Sequence, residues 1–340
     1  MVNIAIIDDW QDNARRCADW SALESVAALR FHCAPLGGEA RTAEALADCD
    51  IIVPLRERTV FGASLLAQLP RLRMLALTGK GLRHVDVAVC RERGIVCSAS
   101  GAALPSPAAE MTLALMLAAA RQVATGDAAM RAGGFQSGIA PGYSLAGRTL
   151  GIVGMGRIGA RVAQLAKALD MEVIGWGRSF DAARAAQAGV ERVDVSELLR
   201  RSDIVSVHLV LGDATRDFLG AAELARMKPG ALLVNTARGP IVNEAALLAA
   251  LHAGHICAAL DVFDEEPLPA DHPLRRAPNT LLTPHLGFNT RATFEAFYRE
   301  SIENILAFMR REPQRVLNPE CLPNVRWLEV AAQSLVRHGP

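Results

Sequence analysis

Residues 149–169 read TLGIVGMGRIGARVAQLAKAL, and this stretch decides the fold. A β-rich run, Thr149 to Val153, meets glycines at 154, 156 and 159 and then a segment of helical period. A lone G-x-G-x-x-G is weak evidence, but between a strand and a helix each glycine has a task. Gly154 permits the tight turn, Gly156 lets a pyrophosphate approach backbone N–H groups, and Gly159 lets the helix pack closely on the strand. The anion then lies at the positive end of the helix dipole. The stretch reads as a dinucleotide site, with Gly154, Gly156, Arg157, Ile158 and Gly159 as its phosphate-side residues.

Further strands follow at Glu172 to Trp176, Ile204 to His208, Leu232 to Asn235, Cys257 to Asp261 and Thr280 to Thr283. With the first they make six, a complete Rossmann-type unit. Upstream, runs at Asn3 to Ile7, Asp50 to Val53, Arg73 to Leu77 and Ile95 to Cys97 alternate with helical stretches such as 42–47 and 61–68, predicting a smaller open sheet. A helix is expected from Pro107 to about Val123, with Ser106 as cap and Glu110 in its first turn. The glycine-rich segment Gly126 to Gly147 reads as a mobile loop. An amphipathic helix from about Ala292 to Met309 follows the complete six-strand unit, so it is expected to pack back on the first domain, with the proline-broken tail from Pro313 draped over it. The predicted fold is therefore α/β with two Rossmann-like or flavodoxin-like domains and parallel sheets. Residues 1–100 and 290–340 form one discontinuous domain, and 101–289 form the NAD(P)-binding domain.

The 340 residues, 51% hydrophobic and 21% charged, are enough for two packed cores with a cleft between them. Lys plus Arg equals Asp plus Glu, 36 of each, and no basic stripe argues for nucleic acid. The N-terminus MVNIAIIDDW carries aspartates where a signal peptide keeps its apolar run, and the longest apolar segment, Met111 to Ala120, is about half a membrane span. Seven cysteines, scattered singly without C-x-x-C, read as small buried residues in a reducing compartment, with no metal site. The chain reads as cytoplasmic.

An NAD site usually carries Asp or Glu about 20 residues beyond the glycines, on the adenosine ribose. Here VIGWGRSF stands instead, with Gly177, Arg178 and Ser179 at the strand end and no carboxylate between Glu172 and Asp181. Nothing repels a 2'-phosphate, and Arg178 supplies a charge-assisted partner, so NADP is expected over NAD.

The remaining strand ends carry polar groups that a sheet alone does not need. NTARG places Arg238 after the fourth strand, LDVFDEEP places Asp261 and Glu266 after the fifth, and TPHLG places His285 after the sixth. In a doubly wound sheet these ends all open onto the ligand crevice. Reduction of a 2-oxo acid needs a fixed cation for the carboxylate and an acid for the carbonyl oxygen. Arg238 offers the planar fork, His285 can exchange a proton near neutrality, and Glu266 beside it favours imidazolium and orients the ring.

These motifs resemble the D-isomer-specific 2-hydroxyacid dehydrogenase family over almost all of residues 1–320. The likeness is densest where GIVGMGRIG, VNTARGPIVNEAAL, AALDVFDEEPLP and LLTPHLG occur in order between Gly151 and Gly287. It implies a catalytic set of Arg238, Glu266 and His285, with His285 the acid/base. Asp261 would bind the nicotinamide carboxamide, and the turn Thr236, Ala237 and Arg238 would meet the nicotinamide side. His208, His285 and Gly287 complete the cofactor-facing set.

In the first domain LTGKGLRHVD is similar to the family's substrate loop. Lys80 and Gly81 would offer N–H groups to the substrate carboxylate, and Arg56 in LRERT would face the same cleft. Lys80 replaces a small apolar residue, and Lys80, Arg83 and Arg56 leave room for a second anionic group. The resemblance also implies a homodimer built through the dinucleotide domains, and a small 2-oxo or D-2-hydroxy acid as substrate. Two alternatives stay open: a dinucleotide-sensing binding protein or corepressor on the same fold, and a formate- or phosphite-type dehydrogenase.

Overall fold

The computed structural model describes residues 1–101 and 105–328. The chain divides into two compact units, Met1–Ala103 with Thr290–Pro340, and Leu104–Asn289. In the first unit the strands are β1 (Val2–Ile7), β2 (Ala27–Phe31), β3 (Ile51–Pro54), β4 (Met74–Thr78) and β5 (Val96–Ser100). They form one parallel sheet in the order β2-β1-β3-β4-β5. β3, β4 and β5 are buried at every position, as sheets covered on both faces require. β2 was not expected. It is an edge strand, only Ala27 is buried, and its pattern of exposure hides the strand signal.

The helix Arg291–Met309 starts where Thr290 caps it, Oγ1 accepting from the Thr293 nitrogen at 3.3 Å. It lies on this sheet: Asn304 donates to the Ala99 carbonyl at 2.8 Å, and the Ser301 and Ser100 hydroxyls are 2.9 Å apart. The tail closes the free edge of β5. Val316 bridges Ser98 antiparallel, and the buried Asn318 accepts from the Cys97 nitrogen and donates to the Ile95 carbonyl.

In the second unit β6 (Thr149–Val153), β7 (Glu172–Trp176), β8 (Glu191–Arg192), β9 (Ile204–Val207), β10 (Ala231–Asn235), β11 (Ile256–Leu260) and β12 (Thr280–Leu282) make a parallel sheet ordered β12-β11-β10-β9-β6-β7-β8. The six expected strands gain β8, two exposed residues too short to carry a periodic signal. The order reverses between β6 and β9, the switch point at which such sheets bind ligands.

The helix expected to begin at Pro107 runs Pro105–Ala120. Ser106 therefore lies in its first turn and is not its cap; Pro105 takes the early position that needs no N–H donor. Gln122, at φ 53°, ends the helical path before Val123. A second helix, Val123–Arg131, then occupies part of the segment read as a loop; none of its residues is buried. Leu117, Val123, Met130 and Phe135 are exposed there.

The seven cysteines are unpaired. Cys49, Cys90, Cys97 and Cys321 are buried as expected, but Cys17 and Cys257 are half-buried and Cys33 is exposed beyond the edge strand β2, its sulfur 3.3 Å from an Asp12 oxygen. Among the described residues no helix is long and apolar enough to cross a membrane.

Candidate active site

At the end of β6 the chain turns through Gly154 at φ 111°. A Cβ there would stand 2.7 Å from the His208 carbonyl group, so the turn requires glycine. A Cβ on Gly159 would collide with the Gly154 carbonyl, which is the close approach of helix to strand. Gly156 faces open space, with nothing within 4 Å of a Cβ position. The helix Arg157–Lys167 begins on Gly156 without a side-chain cap, leaving first-turn N–H groups for an anion. These residues fit a dinucleotide pyrophosphate. Arg157 is exposed and Ile158 half-buried in the same turn.

At the end of β7, Trp176 stacks on Phe218, ring centroids 5.0 Å apart. Arg178 and Ser179 are exposed on the turn that follows. Asp181, the next carboxylate, is engaged as the cap of the helix Ala182–Ala188 and accepts from the Arg184 nitrogen at 2.9 Å. A Cβ on Gly177 would stand 3.1 Å from the Met155 nitrogen and 3.2 Å from the Phe180 Cβ, so a side chain here requires those neighbours to give by a few tenths of an ångström. His208 follows the end of β9, its Nε2 2.8 Å from the hydroxyl of Ser206 within the strand, and burial pushes this imidazole down to about 4, so it is neutral at pH 7.

The turn after β10 is built on a buried amide that sequence reasoning passed over. Asn235, 1% exposed, accepts from the Ala237 nitrogen at 3.0 Å and donates to the Arg238 carbonyl at 2.9 Å. Its signal was there: one polar residue closing the apolar strand ALLVN. Thr236 is tied to Thr112 by a 2.8 Å hydroxyl contact, and the Arg238 guanidinium donates to the Ala237 carbonyl at 2.7 Å.

The loops after β11 and β12 meet at two carboxylates. Glu266, preceding a cis peptide to Pro267, accepts from the Phe263 nitrogen at 3.0 Å and lies 2.5 Å from His285 Nδ1 through its other oxygen. Burial pushes its carboxyl up. The hydrogen bond and charge of His285, the Phe263 N–H and the charge of Arg238 outweigh that and hold it below the usual glutamate value. His285 itself has φ 55°, uncommon for a residue with a Cβ, and its ring packs edge-on to Phe288 at 5.5 Å.

Asp261, fully buried, accepts from the Thr283 hydroxyl at 2.6 Å and from the Leu286 and Gly287 nitrogens at 2.7 Å each. It anchors the loop that carries His285. Its burial raises the carboxyl pKa despite those bonds and the charge of His285.

In the first unit, Arg56 follows β3 at φ 63°, and its nitrogen donates to the Thr78 hydroxyl at 2.6 Å. Its guanidinium lies so near Gly79 that a Cβ there would be 2.5 Å from Nη1. Arg56 and the Gly79–Gly81 turn are thus neighbours, with Lys80 exposed between the glycines. Arg58, by contrast, turns to the Asp8 carbonyl and the Trp10 ring.

A glycine-built anion cradle on a seven-stranded parallel sheet, with a carboxylate-paired histidine at the same sheet edge, defines a dinucleotide-dependent oxidoreductase unit. Residues 113–287 match the family model described as "D-isomer specific 2-hydroxyacid dehydrogenase, NAD binding domain". A glyoxylate reductase of Aeropyrum pernix is 43% identical over 265 residues, 75% of this chain and 79% of that protein. A D-3-phosphoglycerate dehydrogenase of Methanocaldococcus jannaschii is 36% identical over 285 residues, 83% of this chain but 53% of that longer protein. The crystal structure of a phosphoglycerate oxidoreductase from Vibrio cholerae superposes with TM-score 0.86 at 34% identity, covering 92% of this chain and all of that one. The chain belongs to the D-isomer-specific 2-hydroxyacid dehydrogenase family. It is an oxidoreductase of 2-hydroxy acids with that family's NAD-binding domain.

Proposed function

We propose that the protein reduces a small 2-oxo acid of the glyoxylate or hydroxypyruvate kind to the D-2-hydroxy acid, with NADPH preferred to NADH. The 2.5 Å contact between Glu266 and His285, within the field of Arg238, carries this reading. Arg238 clamps the substrate carboxylate through its fork. His285 gives a proton to the carbonyl oxygen as charge develops there, and Glu266 holds the ring through its Nδ1. Asp261 keeps the His285 loop in place and, on the family resemblance, also faces the nicotinamide carboxamide. The bound nicotinamide supplies the hydride.

In the first unit the Lys80 and Gly81 N–H groups make no backbone hydrogen bond among the described residues, and Arg56 lies beside them; the Glu57 carboxylate stands against Gly81, and a substrate carboxylate received here displaces it. A glyoxylate reductase among the relatives favours a substrate this small. The NADPH preference is supported by exposed Arg178 and Ser179 and by the engagement of Asp181 as a helix cap. Exposed Leu117, Val123 and Met130 support a homodimer contact through the helices Pro105–Ala120 and Val123–Arg131, with exposed Phe135 just beyond the second. Unpaired cysteines fit a reducing, cytoplasmic setting.

A panel of 2-oxo acids assayed with NADH and NADPH at the nicotinamide absorbance tests the proposal. Turnover of glyoxylate and hydroxypyruvate is expected, with the higher kcat/KM for NADPH. Failure to oxidise either cofactor with any member of the panel would refute the substrate class, and a tenfold preference for NADH would refute the cofactor assignment.

A further inference from the structure

We infer that Arg184 is a positioning residue for the 2'-phosphate of NADPH, acting through the hydroxyl of Ser179; this rests on reading the turn after β7 as the 2'-phosphate subsite. Arg184 lies on the helix Ala182–Ala188, beyond the turn. Its Nη1 donates to the Ser179 carbonyl at 2.7 Å and to the Ser179 Oγ at 3.0 Å, and its Nη2 donates to the Met155 carbonyl at 3.1 Å. One guanidinium thus joins the turn after β7 to the glycine loop, fixing the two backbones between which the adenosine end of a dinucleotide must lie.

The second bond has a chemical consequence. A hydroxyl carries one proton and two acceptor lone pairs. Because Ser179 Oγ accepts from Arg184, its proton is directed elsewhere and is available to donate to a phosphate oxygen. The cation behind it polarises that O–H and strengthens the donation. A 2'-phosphate would therefore meet two kinds of positive charge. Arg178 is exposed and makes no hydrogen bond or ion pair among the described residues, so it can move to the anion. Arg184 is already held in place by three bonds.

Arg192 offers an internal control. It holds the same turn, donating to the Phe180 carbonyl at 2.7 Å, but it does not touch Ser179. If Arg184 merely stiffened the turn, losing either arginine would have the same effect.

The test is equilibrium titration of the full chain with NADPH and NADH, followed by nicotinamide fluorescence, and competition by 2',5'-ADP. Arg184→Met should raise the Kd for NADPH by about fivefold or more and weaken 2',5'-ADP in parallel, while changing NADH by less than about twofold. In a Ser179→Ala background the Arg184→Met effect on NADPH should largely vanish, since the two act as one unit. Arg192→Met should affect both cofactors alike. Equal weakening of NADH and NADPH by Arg184→Met, no change in NADPH, or an equally selective Arg192→Met would overturn the inference. Run beside them, Arg178→Ala separates the two levels. If it alone discriminates the cofactors, Arg184 has no such role and the subsite reading stands; a wild type that binds NADH more tightly removes both.

Discussion

Two arginine-bearing turns follow parallel strands in the same sheet and are braced in opposite ways. The turn after β7 is pinned from outside by cations, Arg184 on Ser179 and Arg192 on Phe180, and leaves Arg178 in solvent. The turn after β10 is pinned from inside by the neutral amide of Asn235, buried to 1% exposure, and the half-buried Arg238 adds a bond of its own, to the Ala237 carbonyl. A charge can brace a backbone cheaply only where water still reaches it, whereas a buried brace must be neutral or matched on every side. The adenosine end is therefore adjustable by surface substitution, while the chemical end is part of the core.

The comparison can be broken most decisively at His285. His285→Ala should lower kcat by about 100-fold or more while the Kd for cofactor stays near wild type. Near-normal turnover would move the chemistry away from this end. Asn235→Leu comes next. It strips the partners from the Ala237 nitrogen and the Arg238 carbonyl, and should cost about 1–3 kcal/mol of stability along with about tenfold in kcat/KM. Denaturant melts and steady-state rates on one preparation would check it; an unchanged midpoint would mean the buried brace is no stronger than the exposed one.

Glu266→Gln should have the smallest effect, a change in how stability depends on pH. The His285 hydrogen bond and charge, the Phe263 N–H and the Arg238 charge hold the Glu266 carboxyl below the usual glutamate value, so its ionisation stabilises the fold at neutral pH and that stabilisation is lost as pH falls through the lowered value. Denaturant melts taken from neutral pH into the acid range should show wild type losing more stability than Glu266→Gln. Parallel losses in the two would uncouple the pair.

The phosphate loop was legible because each glycine answers a local demand that Gly154 and Gly159 show as collisions awaiting a Cβ. Glu266 and His285 were legible as partners because their loops leave neighbouring strands, β11 and β12, at the same edge. The braces were not. Arg184 and Asn235 act through rotamers and distances across turns, and no period in the sequence records those. β2 and β8 escaped for a different reason: half-exposed edge strands lose the continuous apolar run that marks the buried ones. The tail was foreseen as a drape over the first unit, but its antiparallel pairing with β5 depends on residues more than two hundred positions away.

That pairing bears on how the chain is made. β5 is an edge strand, and an open edge offers unpaired N–H and C=O groups to any other strand it meets. On the ribosome the whole of the second unit emerges after β5 and before Val316 and Asn318. At about 5–20 residues per second, the nascent first unit waits on the order of ten seconds or more with that edge uncovered. The inserted unit can close its sheet during this interval, so synthesis orders the assembly: the later-encoded unit is completed first, and the tail then seals the earlier one.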